Sequence, residues 1–297
     1  MSQILFACNI TLNSGDHIRA EFNTSGVSSV CLSPGIYLPA SMIIVGAGQS
    51  LIGTGAREDA TIISAASRVL LLSDNATVGR LNILGAYLTM PEYEVLAYAS
   101  SRATAWGLSI KKTQIGPSAN YVTNVSFLSN AISQNGTSGN GVADPSIYIT
   151  NSSNINIQYG EIYGDSSNGG GDGELSAYHS TGVTIDNMYI NWLGASGVCM
   201  VNCDSCSVTN SFIRYTGEYG LDIVDGSHNF VASNNEVSNI RYGAAVYESA
   251  GGSTAQFISN TWFRNGTPGC SGMSVIGEAE NVTMIGNIGW KLANRKC

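Results

Sequence analysis

The sequence predicts an all-β protein, a parallel β-solenoid, from its composition, its repeat and its turn residues. Only 11% of the 297 residues are charged and 35 are Gly, although 43% are hydrophobic. Ordinary domains are about one quarter charged. Coiled coils need more Glu, Lys and Leu, and disordered chains combine low hydrophobicity with high net charge. What remains is a turn-dense chain with short strands.

The repeat is clearest in the second half of the chain. Short strands that alternate with period two begin at Leu175, Val198, Leu221, Ala244 and Met273. By subtraction their starts lie 23, 23, 23 and 29 residues apart. Such a period, with two or three short strands in each copy, predicts coils of chain stacked about 4.8 Å apart.

An Asn series runs in phase with these strands. In each copy a large apolar residue follows the Asn three positions later: Asn187 and Ile190, Asn210 and Ile213, Asn234 and Val237, Asn260 and Phe263, Asn287 and Trp290. Asn tolerates the left-handed backbone of tight turns. The series therefore predicts a turn ladder. Helical repeats, leucine-rich repeats and propellers lack this spacing.

The N-terminal third resembles right-handed parallel β-helix proteins of the pectate-lyase-like superfamily. The resemblance rests on Cys31-Leu-Ser-Pro-Gly-Ile-Tyr-Leu-Pro and the Gly-rich block Ile43-Ile-Val-Gly-Ala-Gly-Gln-Ser-Leu-Ile-Gly-Thr-Gly. It implies a right-handed helix and a short capping helix from Asp16 to Asn23, with Ile18 and Phe22 on one side. We expect one β-helix domain over 1–297, with a cap at 1–30, coils at 31–290 and a tail at 291–297. The stretches 84–105, 131–145 and 165–172 are expected to be loops that leave the helix.

Charge and cysteine content restrict the partners and the compartment. A net charge of −8 argues against nucleic acid and anionic membranes, which need a basic face. The segment from Met1 to Cys8 has no basic start and too short an apolar stretch for a signal peptide, which fits either an internal protein or a mature form. The seven Cys favour the second, a secreted protein with disulfides. We expect Cys8–Cys31 and Cys270–Cys297 pairs. Cys203-x2-Cys206 lacks the second ligand pair of a zinc site.

Charged and aromatic residues cluster on one predicted face of the repeat. Asp222 occupies the second strand position, and the fifth position holds His179, Asn202, Asp225 and Glu248, with Lys112 added by backward extension. Just before the strands lie Glu218 and Arg241, each followed by a tyrosine, Tyr219 or Tyr242.

This face predicts acid–base cleavage of glycosidic bonds in a polysaccharide. If Asp225 and Glu248 lie on neighbouring coils about 5 Å apart, they have the carboxylate spacing of a retaining glycosidase. Asp222 and Asp225 lie on one strand roughly 10 Å apart, which approaches the wider spacing of an inverting glycosidase. Glu248 or Asp225 would protonate the leaving oxygen, and a second carboxylate would act as base or nucleophile. Tyrosines would stack on the sugar rings: Tyr178, Tyr219, Tyr242 and Tyr247.

Two alternatives remain open. A polysaccharide lyase or uronate epimerase would use Lys112, His179 or Arg241 as base, with carboxylates holding Ca²⁺. The alginate-epimerase motif Asp-Pro-His is absent, and the nearest string is Asp144-Pro-Ser. A tailspike-like or adhesive glycan-binding helix would need no catalysis. The hydrolase requires no metal or other cofactor, and the protein is expected to be a monomer or a trimer.

Overall fold

Three parallel β-sheets wind around one apolar core in the computed structural model. The structure describes residues 7–18, 22, 26–64, 68–85, 93–111, 115–133, 145–164, 175–249, 254–263, 273–277 and 281–290. The chain passes through sheets A, B and C in turn, and each strand pairs in parallel with its equivalent one coil later. The predicted fold class, an all-β parallel solenoid, is confirmed.

The strands are short because each spans one side of a coil. Sheet A has twelve strands: β1 (Ile10–Leu12), β2 (Ser29–Leu32), β5 (Ser50–Gly53), β8 (Thr77–Gly79), β11 (Thr104–Trp106), β14 (Ser126–Leu128), β17 (Ser153–Gln158), β20 (Thr181–Asp186), β23 (Ser207–Thr209), β26 (Phe230–Ser233), β29 (Ala255–Ile258) and β32 (Val282–Ile285). Sheet B has eleven: β3 (Gly35–Tyr37), β6 (Ala60–Ser64), β9 (Asn82–Gly85), β12 (Ser109–Lys111), β15 (Ala131–Ser133), β18 (Glu161–Tyr163), β21 (Tyr189–Leu193), β24 (Phe212–Thr216), β27 (Glu236–Ser238), β30 (Thr261–Phe263) and β33 (Ile288–Trp290). Sheet C has ten: β4 (Ile43–Val45), β7 (Arg68–Leu72), β10 (Tyr93–Tyr98), β13 (Ile115–Asn120), β16 (Ile147–Thr150), β19 (Leu175–Tyr178), β22 (Val198–Val201), β25 (Tyr219–Val224), β28 (Gly243–Ser249) and β31 (Met273–Gly277).

The core consists of ladders of identical or similar side chains. In sheet B an isoleucine occupies the inward position in seven successive coils, followed by Val237 and Trp262. These inward side chains are at most 5% exposed. β-Branched residues suit this stacking because they pack well on a pleated surface. The ladders explain why the sequence alternates with period two.

The Asn series proves to be two adjacent ladders, so its predicted alignment was wrong by one residue in the last coils. Asn187, Asn210 and Asn234 form the outer corner between sheets A and B, with φ of 53°, 50° and 55°. Asn260 and Asn287 occupy the next position, which in the preceding coil is Asn235. Asn234 and Asn235 are consecutive, so the sequence did not show which of them aligns with Asn260. Accordingly, Trp262 and not Phe263 aligns with Val237.

The inner Asn ladder is a chain of buried hydrogen bonds. Asn260 is 0% exposed. Its Oδ1 accepts from the backbone N and the Nδ2 of Asn235, both at 3.0 Å. Its Nδ2 donates to the carbonyl of Ala232 at 2.9 Å and to Oδ1 of Asn287 at 3.0 Å. These bonds satisfy backbone groups that the turn removes from the sheets.

The predicted register between β25 and β28 was also wrong by one residue. Leu221 pairs with Ala245, not with Ala244, and Asp222 pairs with Val246. Both alanines are buried, so the apolar pattern alone did not distinguish the two registers. A shift of one residue exchanges the faces of a strand. Asp225 therefore lies level with Ser249, and the predicted side-by-side placement of Asp225 and Glu248 does not occur.

The N-terminal cap is described only in part. The predicted helix over 16–23 is not seen as an element, because residues 19–21 and 23 lie outside the described residues. Its two predicted core residues, Ile18 and Phe22, are 3% and 8% exposed and join the hydrophobic core.

The prediction of a loop over 84–105 was wrong in part, because β10 (Tyr93–Tyr98) and the start of β11 (Thr104–Trp106) lie within it. The loop predicted at 131–145 begins with β15 (Ala131–Ser133), and the rest of that stretch up to 144, like 165–172, lies outside the described residues.

Two disulfides close local segments of the chain. Cys8 bonds to Cys31, as predicted, and Cys203 bonds to Cys206. The second bond accounts for the Cys-x2-Cys spacing without a metal. Cys199 is buried and takes part in neither disulfide. The predicted Cys270–Cys297 pair lies outside the described residues.

Asp186 organises a polar corner between sheets A and B. Oδ1 accepts hydrogen bonds from Thr209 Oγ1 and Asn210 Nδ2, both at 2.7 Å, and Oδ2 accepts from Asn187 Nδ2 at 2.6 Å. Burial on its own raises the pKa of Asp186, but these donors outweigh it and hold the pKa below the usual 3.8. A lowered pKa means that the folded state favours the ionised carboxylate.

We expect Asp186→Asn to lower the free energy of unfolding at neutral pH and to make that free energy depend less on pH in the acidic range. A depressed pKa stabilises the fold above the ordinary carboxyl pKa, and this contribution is lost as pH falls through the folded-state value. The difference between wild type and variant in urea unfolding should be largest at pH 7 and should shrink below about pH 4. A difference that stays constant down to pH 2 would contradict this account.

Candidate functional site

The outer face of sheet C is buried over much of its length. Its outward ladder runs through Ser118, Tyr148, Ser176, Cys199 and Asp222 on five successive coils. Apart from Pro117, the residues on either side of this ladder along each strand belong to the hydrophobic core, whereas the ladder itself does not. Ser118 and Ser176 are nevertheless 0% exposed. Neighbouring atoms therefore cover these two serines, and the half-buried carboxylate of Asp222 on the same ladder makes this face the candidate binding site.

Asp222 carries the carboxylate of this ladder. It is half-buried, and Oδ2 accepts a hydrogen bond from Ser196 Oγ at 3.3 Å. Ser196 is itself 1% exposed, and its hydroxyl oxygen also accepts from the backbone N of Tyr219 at 3.4 Å. One serine in the connection between β21 and β22 thus contacts both the carboxylate and the start of β25.

A first group of predicted residues lies together at the amino end of the sheet C strands. The rings of Tyr219 and Tyr242 are 6.0 Å apart. The guanidinium carbon of Arg241 lies 5.1 Å from the centre of the Tyr242 ring, a cation–π distance. Glu218 precedes β25, and its carbonyl accepts from the backbone N of Tyr242 at 3.0 Å.

A second group lies at the carboxyl end of the same strands. His179, Asn202 and Asp225 each occupy the corner after a strand, with φ of 46°, 48° and 50°, and all three are exposed. His179 Nδ1 and Asn202 Nδ2 are 3.2 Å apart. Tyr219 and Asp225 are six residues apart, roughly 20 Å along the strand at 3.3 Å per residue. The predicted single cluster is therefore divided between two ends of sheet C.

Between the two ends lies a pair of tyrosines. The Tyr148 and Tyr178 rings are 5.6 Å apart on adjacent coils. Together with Asp222 they form the middle of the face. We use the term sheet C face for this outer ladder with the residues at both strand ends.

Three predicted residues fall wholly or partly outside the described part of the chain. Lys112 is one of them, and for Tyr247 and Glu248 only the backbone in β28 is described. The register places Tyr247 beside Ile223 and Glu248 level with Val224. Glu248 thus lies on the strand next to that of Asp222, two residues beyond Val246, the residue that pairs with Asp222. With a strand spacing of about 4.8 Å and a rise of about 3.3 Å per residue, the two backbone positions are roughly 8 Å apart.

Sequence reasoning missed Tyr148, Ser176 and Ser196 as parts of this face. Tyr148 follows Ile147 in the same register as Ser176, so the repeat contained the signal. The burial of Ser176 and the contact of Ser196 with Asp222 depend on tertiary packing, and no sequence motif predicts either of them.

Among the described residues, no group of three His, Cys, Asp or Glu side chains is placed to hold a metal ion. Within the same ranges, no helix has the length and apolar character needed to span a membrane.

The chain resembles solved structures of several kinds. It matches the surface protein and adhesin PfbA of Streptococcus pneumoniae with a TM-score of 0.60 and 12% identity over 94% of this chain and 93% of that one. The mannuronan C-5 epimerase A-module of Azotobacter vinelandii gives 0.57 and 13% over 92% and 90%. The catalytic unit of an α-1,3-glucanase from Streptomyces thermodiastaticus gives 0.55 and 12% over 89% and 64%. At this identity the likeness establishes the fold.

No curated protein sequence matches the chain. The family model for the right handed beta helix region matches residues 118–288, more than half of the sequence. This range includes the Asn ladders and most of the sheet C face, and the match agrees with the winding of the solved structures and with the resemblance of the N-terminal motifs. The chain belongs to the right-handed β-helix family.

Proposed function

We propose that this protein hydrolyses glycosidic bonds of a polysaccharide on the sheet C face, with Asp222 and Glu248 as the acid–base pair. The observation that carries the proposal is Asp222 itself, a half-buried carboxylate in a ladder whose neighbours exclude water. Charge is scarce in this chain, and a half-buried carboxylate on an outward ladder is a candidate catalytic group.

The spacing of the two positions supports an inverting mechanism. Roughly 8 Å separates the Asp222 and Glu248 backbones, and carboxyl groups that left the sheet side by side from these positions would be compatible with the 6.5–9.5 Å that inverting glycosidases leave between them to admit water. The bond from Ser196 to Asp222 holds this carboxylate in place on the sheet. We therefore assign the base that activates water to Asp222 and the acid that protonates the leaving oxygen to Glu248.

The tyrosines and polar corners would bind the sugar chain on both sides of the cleaved bond. Tyr148 lies on the same outward ladder as Asp222, three coils before it, and Tyr178 lies two coils before it, whereas Tyr219 and Tyr242 lie at the amino end. Aromatic rings suit the apolar faces of pyranose rings. His179, Asn202 and Asp225 would contact hydroxyl groups at the carboxyl end, and Glu218 and Arg241 would do so at the amino end.

Elimination or epimerisation has less support from the geometry. His179 lies at the carboxyl end of β19, and Arg241 precedes β28, three coils further on. A base and a group that neutralises a uronate must contact the same sugar, and these two residues are too far apart for that. The two disulfides support an extracellular location.

A polysaccharide panel tests the proposal. Neutral and uronate polymers are incubated with the protein, and both reducing ends and the absorbance of unsaturated products are measured. Hydrolysis predicts new reducing ends without absorbance. Both signals together would identify a lyase, and neither signal on any polymer would leave an epimerase or a binding protein; either result overturns the proposal.

A further inference from the structure

The outer face of sheet B carries aromatic side chains on three successive coils, away from the sheet C face. Tyr163 and Phe212 are 39% and 45% exposed. Tyr189 lies between them: its ring is 5.7 Å from that of Tyr163, and it pairs in register with Phe212. Three coils cover roughly 10 Å, and a large exposed aromatic cluster on a soluble protein indicates a binding surface.

All three ion pairs of the described residues lie on this same face. Lys111 contacts Glu58 at 2.8 Å and Arg214 contacts Glu236 at 2.5 Å. Arg57 reaches Glu161, with the charged atoms 3.9 Å apart. Three positive groups are thus matched by three negative ones. The charged side chains of the described sheet B strands are therefore all paired, and a surface of paired charges favours an uncharged ligand over a polyanion.

The face also has polar atoms without a partner. Asn191 is 5% exposed, and its Nδ2 donates to the hydroxyl of Tyr189 at 3.2 Å. Its Oδ1 and the Nε of Arg214 are buried and have no hydrogen-bond partner among the described residues. Asn191 and Arg214 pair on adjacent strands. Because both atoms are buried, a surface ligand would not contact them directly; the exposed polar groups beside them are the Arg214–Glu236 pair, whose side chains are 31% and 34% exposed.

We propose that the outer face of sheet B, built on Tyr163, Tyr189, Asn191, Phe212 and Arg214, is a second glycan-binding surface for a neutral polysaccharide chain. Aromatic rings bind the apolar faces of a sugar, and paired donors and acceptors bind its hydroxyl groups, whereas a protein partner would favour a larger apolar core. The surface lies outside the catalytic face and would hold a long polymer on the protein between cleavage events.

Affinity electrophoresis in gels with soluble polysaccharides tests this surface. Every protein variant in the test also carries Asp222→Asn, so that the polymer stays intact during the run. The neutral probes are pullulan, laminarin and arabinoxylan, and the polyanionic probes are alginate and polygalacturonate. We expect at least one neutral polymer to retard the protein. The double variant Tyr163→Ala/Phe212→Ala should bind that polymer about tenfold more weakly.

Tyr159→Ala is the matched control, because Tyr159 is 59% exposed and follows β17 at the corner between sheets A and B, outside the sheet C face and outside the five residues of the proposed surface. Retardation by no neutral polymer, or an equal loss in the control, would overturn the second surface. A change of oligomeric state in the double variant, measured by light scattering, would identify the face as a contact between copies and would also overturn it. Reducing ends are measured in parallel. If new reducing ends appeared despite Asp222→Asn, the catalytic role of Asp222 would be contradicted, and the binding result would still stand.

Discussion

Asp222→Asn is expected to lower the kcat for polysaccharide hydrolysis by about 10²–10⁴-fold, the usual contribution of a general base. The amide occupies nearly the same volume and still accepts from Ser196, whose Oγ lies 3.3 Å from Oδ2. The fold should therefore persist, with an unchanged midpoint of urea unfolding. The loss would then reflect proton transfer alone.

The pH profile separates a base from a residue that only shapes the face. Asp222 acts ionised, so its loss should remove the acidic limb of the profile of kcat/KM. Glu248→Gln should remove the basic limb, because the acid acts protonated. If each variant removed the opposite limb, the roles of acid and base would be exchanged. If both limbs stayed unchanged in both variants, Asp222 and Glu248 would not be the acid–base pair.

Asp204→Asn is the matched control for loss of a carboxylate. Asp204 lies at the corner between sheets C and A, and Asn229 Nδ2 donates to its Oδ1 at 3.0 Å, a bond that an amide oxygen can still accept. Activity close to that of the wild type is expected for this variant. If Asp222→Asn retained activity within threefold of Asp204→Asn, the site would have to lie elsewhere.

The fold was largely predictable because stacking repeats the same physical demand in every coil. Each coil must place apolar residues inward at strand period, as the isoleucine ladder of sheet B does, and must turn three corners with residues that accept a left-handed backbone. Both demands appear in the sequence as a recurrent pattern. The Gly and Asn content and the scarcity of charge follow from them, since ladders of like charge at strand spacing repel.

The site was less predictable because it depends on register, which small residues specify poorly. Ala244 and Ala245 fit the core equally well, and the single residue between them decides whether Glu248 lies beside Asp225 or diagonally from Asp222. The first arrangement would indicate a retaining spacing and the second an inverting one. The burial of Ser176 and the bond from Ser196 arise only from packing.

The same ambiguity at Asn234 and Asn235 bears on stability. Only one of these neighbours belongs to the buried ladder, and the structure assigns Asn235 to it, with Oδ1 of Asn260 accepting from its backbone N and its Nδ2. Exposed Asn234 has φ of 55° and serves the turn by its backbone. The two roles predict very different consequences of substitution.

We expect Asn260→Ala to lower the free energy of unfolding by about 3–5 kcal/mol. The change removes an acceptor for two donors of Asn235 and the donor to the carbonyl of Ala232, and each buried polar group left without a partner costs about 1–3 kcal/mol. It also leaves space in a position with no exposed surface, which adds to the loss. Urea unfolding followed by circular dichroism measures the difference.

Asn234→Gly is the matched control, because glycine adopts positive φ without strain and the buried ladder is left intact. Its unfolding free energy should stay within about 1 kcal/mol of the wild type. Equal losses in the two variants would mean that the corner is held by backbone conformation and that the amide ladder adds little. A large loss confined to Asn260→Ala would mean that side-chain amides hold the coils together at this corner, because they satisfy backbone groups that the turn withdraws from the sheets.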